Sequence, residues 1–78
     1  MNNNIKLVWN FSGNDALEIA RHHLKHIEEY VLLENIPLVK KGSKKINEFS
    51  AISYIVVTQN FLTKVKNDLK PHEGFHCR

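Results

Sequence analysis

The chain has 78 residues, of which 42% are hydrophobic and 24% charged, and its formal net charge is +3. This length fits one domain with a small core, and the composition excludes an intrinsically disordered chain. The single cysteine excludes an internal disulfide framework, and no apolar run approaches the roughly 18 residues of a membrane span. Residues 1–11 also lack the features of a signal peptide. We therefore expect a cytoplasmic protein without a membrane partner.

Charge is unevenly distributed along the chain. Residues 1–35 hold three basic side chains against five acidic ones, whereas residues 36–78 hold eight against three. Such an asymmetry indicates an acidic partner or subunits that complement one another, although incidental placement of solubilising charge produces it too.

The first predicted elements are a strand and a long helix. Apolar side chains alternate with others over residues 5–11, which is typical of a half-buried strand. A helix is predicted from about Asp15 to Leu33, because spacings of three and four recur along it and Pro37 follows its end. The residues with these spacings are Ala16, Ala20, Leu24, Ile27 and Val31. His23 borders this stripe and is expected to pack against the core.

The second half predicts two more strands and a second helix. Leu38 and Val39 indicate a short strand, and Gly42-Ser43 indicates a turn. A strand follows from about Phe49 to Thr58, then a helix from about Gln59 to Lys70 that Pro71 stops. Residues 71–78 show no periodicity and are expected to form a flexible tail.

This order of elements predicts a single α+β domain over residues 1–70. A strand–helix–strand crossover lays its helix on the sheet, and both helices carry one apolar stripe. The expected result is a two-layer sandwich of β-α-β-β-α order, with both helices on one face of a small sheet. It resembles a ferredoxin-like fold that lacks its last strand.

A histidine-rich segment, "ARHHLKHIEEY" at residues 20–30, indicates a candidate metal site. His22 and His26 are four residues apart and project from the same face of a helix, as in helical zinc sites. Glu18 and Glu29 extend this polar stripe, and such ligands suit zinc, nickel or copper. The tail offers His72, His76 and Cys77 as further ligands. The alternative, which we favour from sequence, is an ordinary solvated surface, and we expect no cofactor.

Four lysines surround the predicted turn at Gly42-Ser43 and indicate a candidate nucleic-acid contact. They are Lys40, Lys41, Lys44 and Lys45. Lysines bind the phosphate backbone without sequence preference, so the expected binding is weak and salt-dependent. The chain has no phosphate-loop motif and no signature of an RRM or KH domain. The alternative, which we favour from sequence, is a solvated hairpin whose lysines discourage edge pairing.

The predicted strand at residues 49–58 has apolar side chains on both faces, which indicates a covered second face. Exposure of Ile52, Tyr54 and Val56 would leave an apolar patch, so we expect a homodimer that buries them. The competing possibility is that the tail folds back and covers this face with Phe75.

The sequence therefore favours a small, self-associating interaction module without enzymatic activity and with no identified ligand. Cys77 and its neighbouring histidines are predicted to lie in a segment without rigid structure, which would not activate a thiol. The alternatives are transition-metal binding by the histidine stripe and weak nucleic-acid binding by the lysine-rich turn.

Overall fold

The structure is a computed structural model that describes residues 4–77, with side chains described as far as Phe75. It contains four strands and two helices: β1 (Asn4–Ser12), α1 (Ala16–Leu33), β2 (Lys40–Asn47), β3 (Ser50–Thr58), α2 (Leu62–Leu69) and β4 (Glu73–Cys77). A turn of 3-10 helix, Gln59–Phe61, leads into α2. The strands form one antiparallel sheet in the order β2-β3-β1-β4. The predicted α+β class is confirmed.

The core lies between one face of the sheet and the two helices. Leu7 pairs with Ile55 across β1 and β3, so the odd-numbered residues of both strands share that face. Ile27 of α1 and Val65 of α2 belong to the same buried cluster as these two residues. Both helices therefore cover one side, as predicted. We call the other side the open face.

Helix α1 ends at Leu33, as predicted, and a backbone hydrogen-bond motif terminates it. Asn35 adopts a left-handed conformation with φ of 56°, and the Ile36 N–H donates to the Val31 carbonyl at 2.9 Å. This pattern is the Schellman motif, in which asparagine replaces the usual glycine. Within residues 4–77, neither helix combines the length and hydrophobicity needed to cross a bilayer.

The predicted turn at Gly42-Ser43 is wrong, because both residues lie inside β2. The chain turns instead at Glu48 and Phe49, where the Asn47 side chain accepts a hydrogen bond from the Phe49 N–H at 2.9 Å. The lysines are compatible with a strand because β2 is at the edge of the sheet. Charged side chains are one means by which edge strands resist pairing with other chains.

The predicted absence of a last strand is also wrong, because Glu73–Cys77 pairs with β1 as β4. The His72 N–H donates to the Val8 carbonyl at 2.9 Å and starts this pairing. Without β4, one edge of β1 would present a row of unpaired main-chain groups. Main-chain pairing does not require periodic side chains, which is why the sequence pattern missed it.

Candidate functional site

The open face consists of side chains arranged in rows across the sheet. Pairing across β4, β1, β3 and β2 defines each row in that order. The first row is Phe75, Lys6, Val56 and Lys40. The second row is Glu73, Val8, Tyr54 and Gly42. A third row holds Asn10, Ile52 and Lys44. Two aromatic rings and three lysines thus share this face with one carboxylate. That carboxylate, Glu73, accepts a hydrogen bond from the Asn10 side-chain amide at 3.0 Å.

Tyr54 lies at the centre of the open face with its ring over Gly42. A Cβ atom at Gly42 would come within 2.6 Å of the Tyr54 hydroxyl oxygen, so only glycine leaves room for the ring there. The Lys6 ammonium nitrogen lies 4.5 Å from the ring centroid, which is within cation–π range. Tyr54 is therefore an aromatic platform beneath a displaceable cation.

The strand alternation divides the four predicted lysines between the two sides of the sheet. Lys40 and Lys44 pair with Val56 and Ile52 and lie on the open face. Lys41 and Lys45 lie on the helix side, where Lys41 forms an ion pair with Glu28 of α1 at 3.0 Å. The open face therefore receives two of the four lysines, and it gains Lys6 from β1.

The predicted dimer residues share the open face, but they form a smaller apolar surface than expected. Val56 is 7% exposed and Val8 is 5% exposed, while Ile52 and Tyr54 are half-buried. Lys6 lies directly opposite Val56 and extends towards Tyr54. The tail does bring Phe75 to this face, where it remains 48% exposed. Dimerisation through Ile52, Tyr54 and Val56 stays a prediction.

His22 and His26 form a close pair on the exposed side of α1. Their Nε2 atoms are 3.0 Å apart and their ring planes meet at 85°. Among the described side chains, no three His, Cys, Asp or Glu residues are grouped in a way that could hold a metal ion. Glu18 and Glu29 thus do not converge with the histidine pair into a three-ligand group.

Among the described side chains, the predicted tail ligand His72 does not join the helix pair in a three-ligand group. His72 lies beside β1, where its Nδ1 accepts a hydrogen bond from the Asn10 N–H at 2.8 Å. The side chains of His76 and Cys77 lie outside the described residues. Their participation in a metal site stays a prediction.

His23 packs at the core boundary, as predicted. Its ring centroid lies 5.1 Å from those of Trp9 and Phe11, and its Nδ1 lies 2.9 Å from the Ser53 hydroxyl oxygen. Burial lowers the pKa of His23, and the neighbouring His26 and His72 lower it further. Ser53 is fully buried and His23 is half-buried, so this pair spans the boundary between the core and the surface.

No family model matches this chain, and no curated protein or solved structure matches it either. Function is therefore inferred from the geometry of the molecule alone.

Proposed function

We propose that this protein binds single-stranded nucleic acid across the open face of its sheet. The observation that carries the proposal is the flat ring of Tyr54 over Gly42, flanked on the same face by Lys6, Lys40 and Lys44. Sequence-tolerant binding of single strands combines aromatic side chains that stack on bases with cations that follow the backbone.

The first step is stacking of a base on Tyr54. In the free protein the ring is occupied by the Lys6 ammonium group at 4.5 Å. A base that displaces this group gains a stacking contact worth about 1–3 kcal/mol. The displaced ammonium stays next to the base and becomes available to a phosphate. Phe75, half exposed and opposite Lys6, offers a second ring.

The second step is neutralisation of phosphates by the lysines of the open face. Lys6, Lys40 and Lys44 form no ion pair with the other described side chains, in contrast to Lys41 and Lys64. Each phosphate contact releases counterions and makes the affinity depend on salt. The only carboxylate of the three rows, Glu73, is hydrogen-bonded to Asn10 and lies towards the edge strand β4.

The fold itself lends only general support. We propose that the β-α-β-β-α-β order with the sheet order β2-β3-β1-β4 is a ferredoxin-like arrangement, now with its last strand. One sheet face of such a sandwich remains free for a ligand. Because one fold hosts many functions, the support for nucleic-acid binding comes from the side chains of the open face.

Salt dependence tests the proposal. Fluorescence anisotropy with a labelled oligouridine should show binding at low salt. The logarithm of the association constant should fall against the logarithm of salt with a slope of about −2, because each of three lysines contributes about −0.7. Tyr54→Leu should weaken binding at every salt concentration without changing this slope.

Two neighbouring lysines give a matched control. Lys44→Gln removes a charge from the open face, whereas Lys45→Gln removes the same charge from the next residue on the opposite side. We expect Lys44→Gln to reduce the slope by about 0.7 and Lys45→Gln to leave it unchanged. Absence of binding at low salt, or equal effects of the two substitutions, would refute the proposal.

A second candidate function, transition-metal binding, is favoured by the distance between His22 and His26. Two nitrogens bound to one tetrahedral Zn²⁺ at about 2.05 Å are separated by about 3.4 Å. The observed 3.0 Å between the Nε2 atoms requires only a small separation of the rings to admit the ion. On this proposal the histidine pair supplies two ligands, and water or another molecule completes the coordination.

Thermal unfolding in the presence and absence of Zn²⁺ tests the metal site. A metal that binds only the folded state raises the melting temperature by mass action. Combined His22→Gln and His26→Gln substitutions should abolish this gain, whereas Glu18→Gln with Glu29→Gln should preserve it. A melting temperature indifferent to zinc, or a gain that survives loss of both histidines, would rule out the pair as a metal site.

A further inference from the structure

A cavity of about 310 Å³ lies on the helix side of the sheet, between α2 and β4. Ile5 and Leu7 of β1 form its floor, and Leu62 and Pro71 contribute its apolar walls. Sites for small molecules in proteins begin at about this volume and are lined mainly by apolar side chains with a few polar groups. The cavity lies on the opposite side of the sheet from Tyr54, and Phe75 of the open face borders its edge.

Gly74 borders this cavity. It pairs with Leu7, so it occupies a position of β4 that faces the helices. A Cβ atom there would meet the Leu7 side chain at 3.4 Å, an ordinary contact, and no positive φ requires glycine at this position. A larger residue would fill the space between β4 and α2. Gly74 is itself exposed and leaves this side of the cavity without a side chain.

The charged group that faces the cavity is Lys66. Its ammonium group forms no ion pair within the described part of the chain. Glu73 also borders the cavity, but its carboxylate accepts a hydrogen bond from Asn10, whose side chain belongs to the open face. Only the backbone of Glu73 is therefore left on the helix side. The cavity thus combines an apolar floor with one uncompensated cation.

His72 also lines the cavity. Its Nδ1 accepts the Asn10 N–H, so the proton of the neutral ring resides on Nε2. The N–H at Nε2 and the Lys66 ammonium are both donors suited to an anionic oxygen.

We propose that this cavity binds a small monocarboxylate with an apolar body, with the carboxylate at Lys66 and His72 and the apolar part on Ile5 and Leu7. The site is a further function of the chain and does not depend on nucleic-acid binding. The apolar part fills the gap left by Gly74, and the charge of Lys66 selects carboxylates over neutral or cationic molecules of equal length.

Calorimetric titration with octanoate, octan-1-ol and octylamine, each below its aggregation threshold, tests the proposal. Octanoate should bind about tenfold more tightly than octan-1-ol, because it adds a charge-assisted hydrogen bond, and octylamine should bind most weakly. Amide signals of His72 and Gly74 should shift in the NMR spectrum of the octanoate complex. Absence of octanoate binding, or equal binding of all three compounds, would overturn the proposal.

Three variants distinguish binding in the cavity from nonspecific binding elsewhere on the protein. Lys66→Gln should remove most of the preference for octanoate and leave octan-1-ol binding unchanged. Lys25→Gln removes the same charge from an exposed position of α1 and should change neither the preference for octanoate nor the binding of octan-1-ol. Gly74→Leu should abolish binding of all three compounds while the circular dichroism spectrum is retained. If Gly74→Leu unfolds the chain, Gly74→Ala should still weaken the binding of octanoate. Undiminished binding of octanoate to Gly74→Ala would contradict the assignment.

Discussion

His23 shows how one residue connects the sequence, the core and the response to pH. Its ring contacts Trp9 and Phe11, and its Nδ1 reaches the hydroxyl of the fully buried Ser53. Burial is the main cause of its lowered pKa, with smaller contributions from His26 and His72. The helical pattern predicts its boundary position, whereas the partner Ser53 depends on a pairing of distant elements that the sequence does not reveal.

The lowered pKa of His23 predicts loss of stability on acidification. The unfolded chain binds a proton at this residue near the ordinary pKa of 6.5, while the folded chain binds it only at lower pH. The unfolded state therefore gains protons first, and the free energy of unfolding falls as the pH drops from 6.5 through the folded pKa. Below that value no further loss arises from this residue.

The contribution of His23 to the pH dependence of stability can be measured by urea unfolding. The unchanged protein and His23→Asn are compared at several pH values between about 7 and 5. Asparagine retains a polar group near the position of Nδ1 but does not titrate. The variant should lose less stability than the natural chain over this range. Parallel pH profiles for the two proteins would show that His23 does not couple folding to pH.

At the scale of elements, the strong periodic patterns predicted β1, α1, β3 and α2, whereas the second strand was placed at Leu38 and Val39, just before β2, and β4 was missed. β2 contains four lysines and a glycine, and the Tyr54 ring of the neighbouring strand lies over that glycine, Gly42. β4 follows Pro71 and has no apolar alternation. Edge strands are held mainly by main-chain hydrogen bonds to a neighbour, so their side chains contain little information about them. The division of the lysines between two faces was unpredictable for the same reason.

The role of β4 can be tested by truncation after Lys70. The shortened chain loses the pairing of β1 with β4 and exposes Ile5 and Leu7 beside the cavity. We expect the melting temperature to fall by about 10 °C or more, which for a domain of this size corresponds to roughly 2 kcal/mol. Circular dichroism on heating provides the measurement.

A substitution within β4 controls for the truncation. Phe75→Thr removes an exposed ring but retains the main-chain ladder and a residue with high strand propensity. It should shift the melting temperature much less than the truncation does. An unchanged melting temperature after truncation would instead support the flexible tail that the sequence predicted.

At the scale of the whole molecule, the protein is a one-sided sandwich whose helices cover one sheet face and leave the other uncovered in the described part of the chain. The basic side chains concentrated in residues 36–78, as far as the structure describes them, do not form a single basic patch on the surface. Lys41 and Lys45 face the helices, and Lys64 pairs with Glu34 and Asp68 of the helical layer. The basic character of the open face comes instead from β1 and β2, brought together by β3.

The two tyrosines of the chain provide the most direct test of nucleic-acid binding. Tyr54 lies on the open face, whereas Tyr30 packs in the helical layer and donates a hydrogen bond to Asp68. With tyrosine rings selectively labelled for NMR, a single-stranded oligouridine at low salt should shift the ring signals of Tyr54 and leave those of Tyr30 in place. Unchanged Tyr54 signals at saturating oligonucleotide, or shifts confined to Tyr30, would contradict binding across the open face.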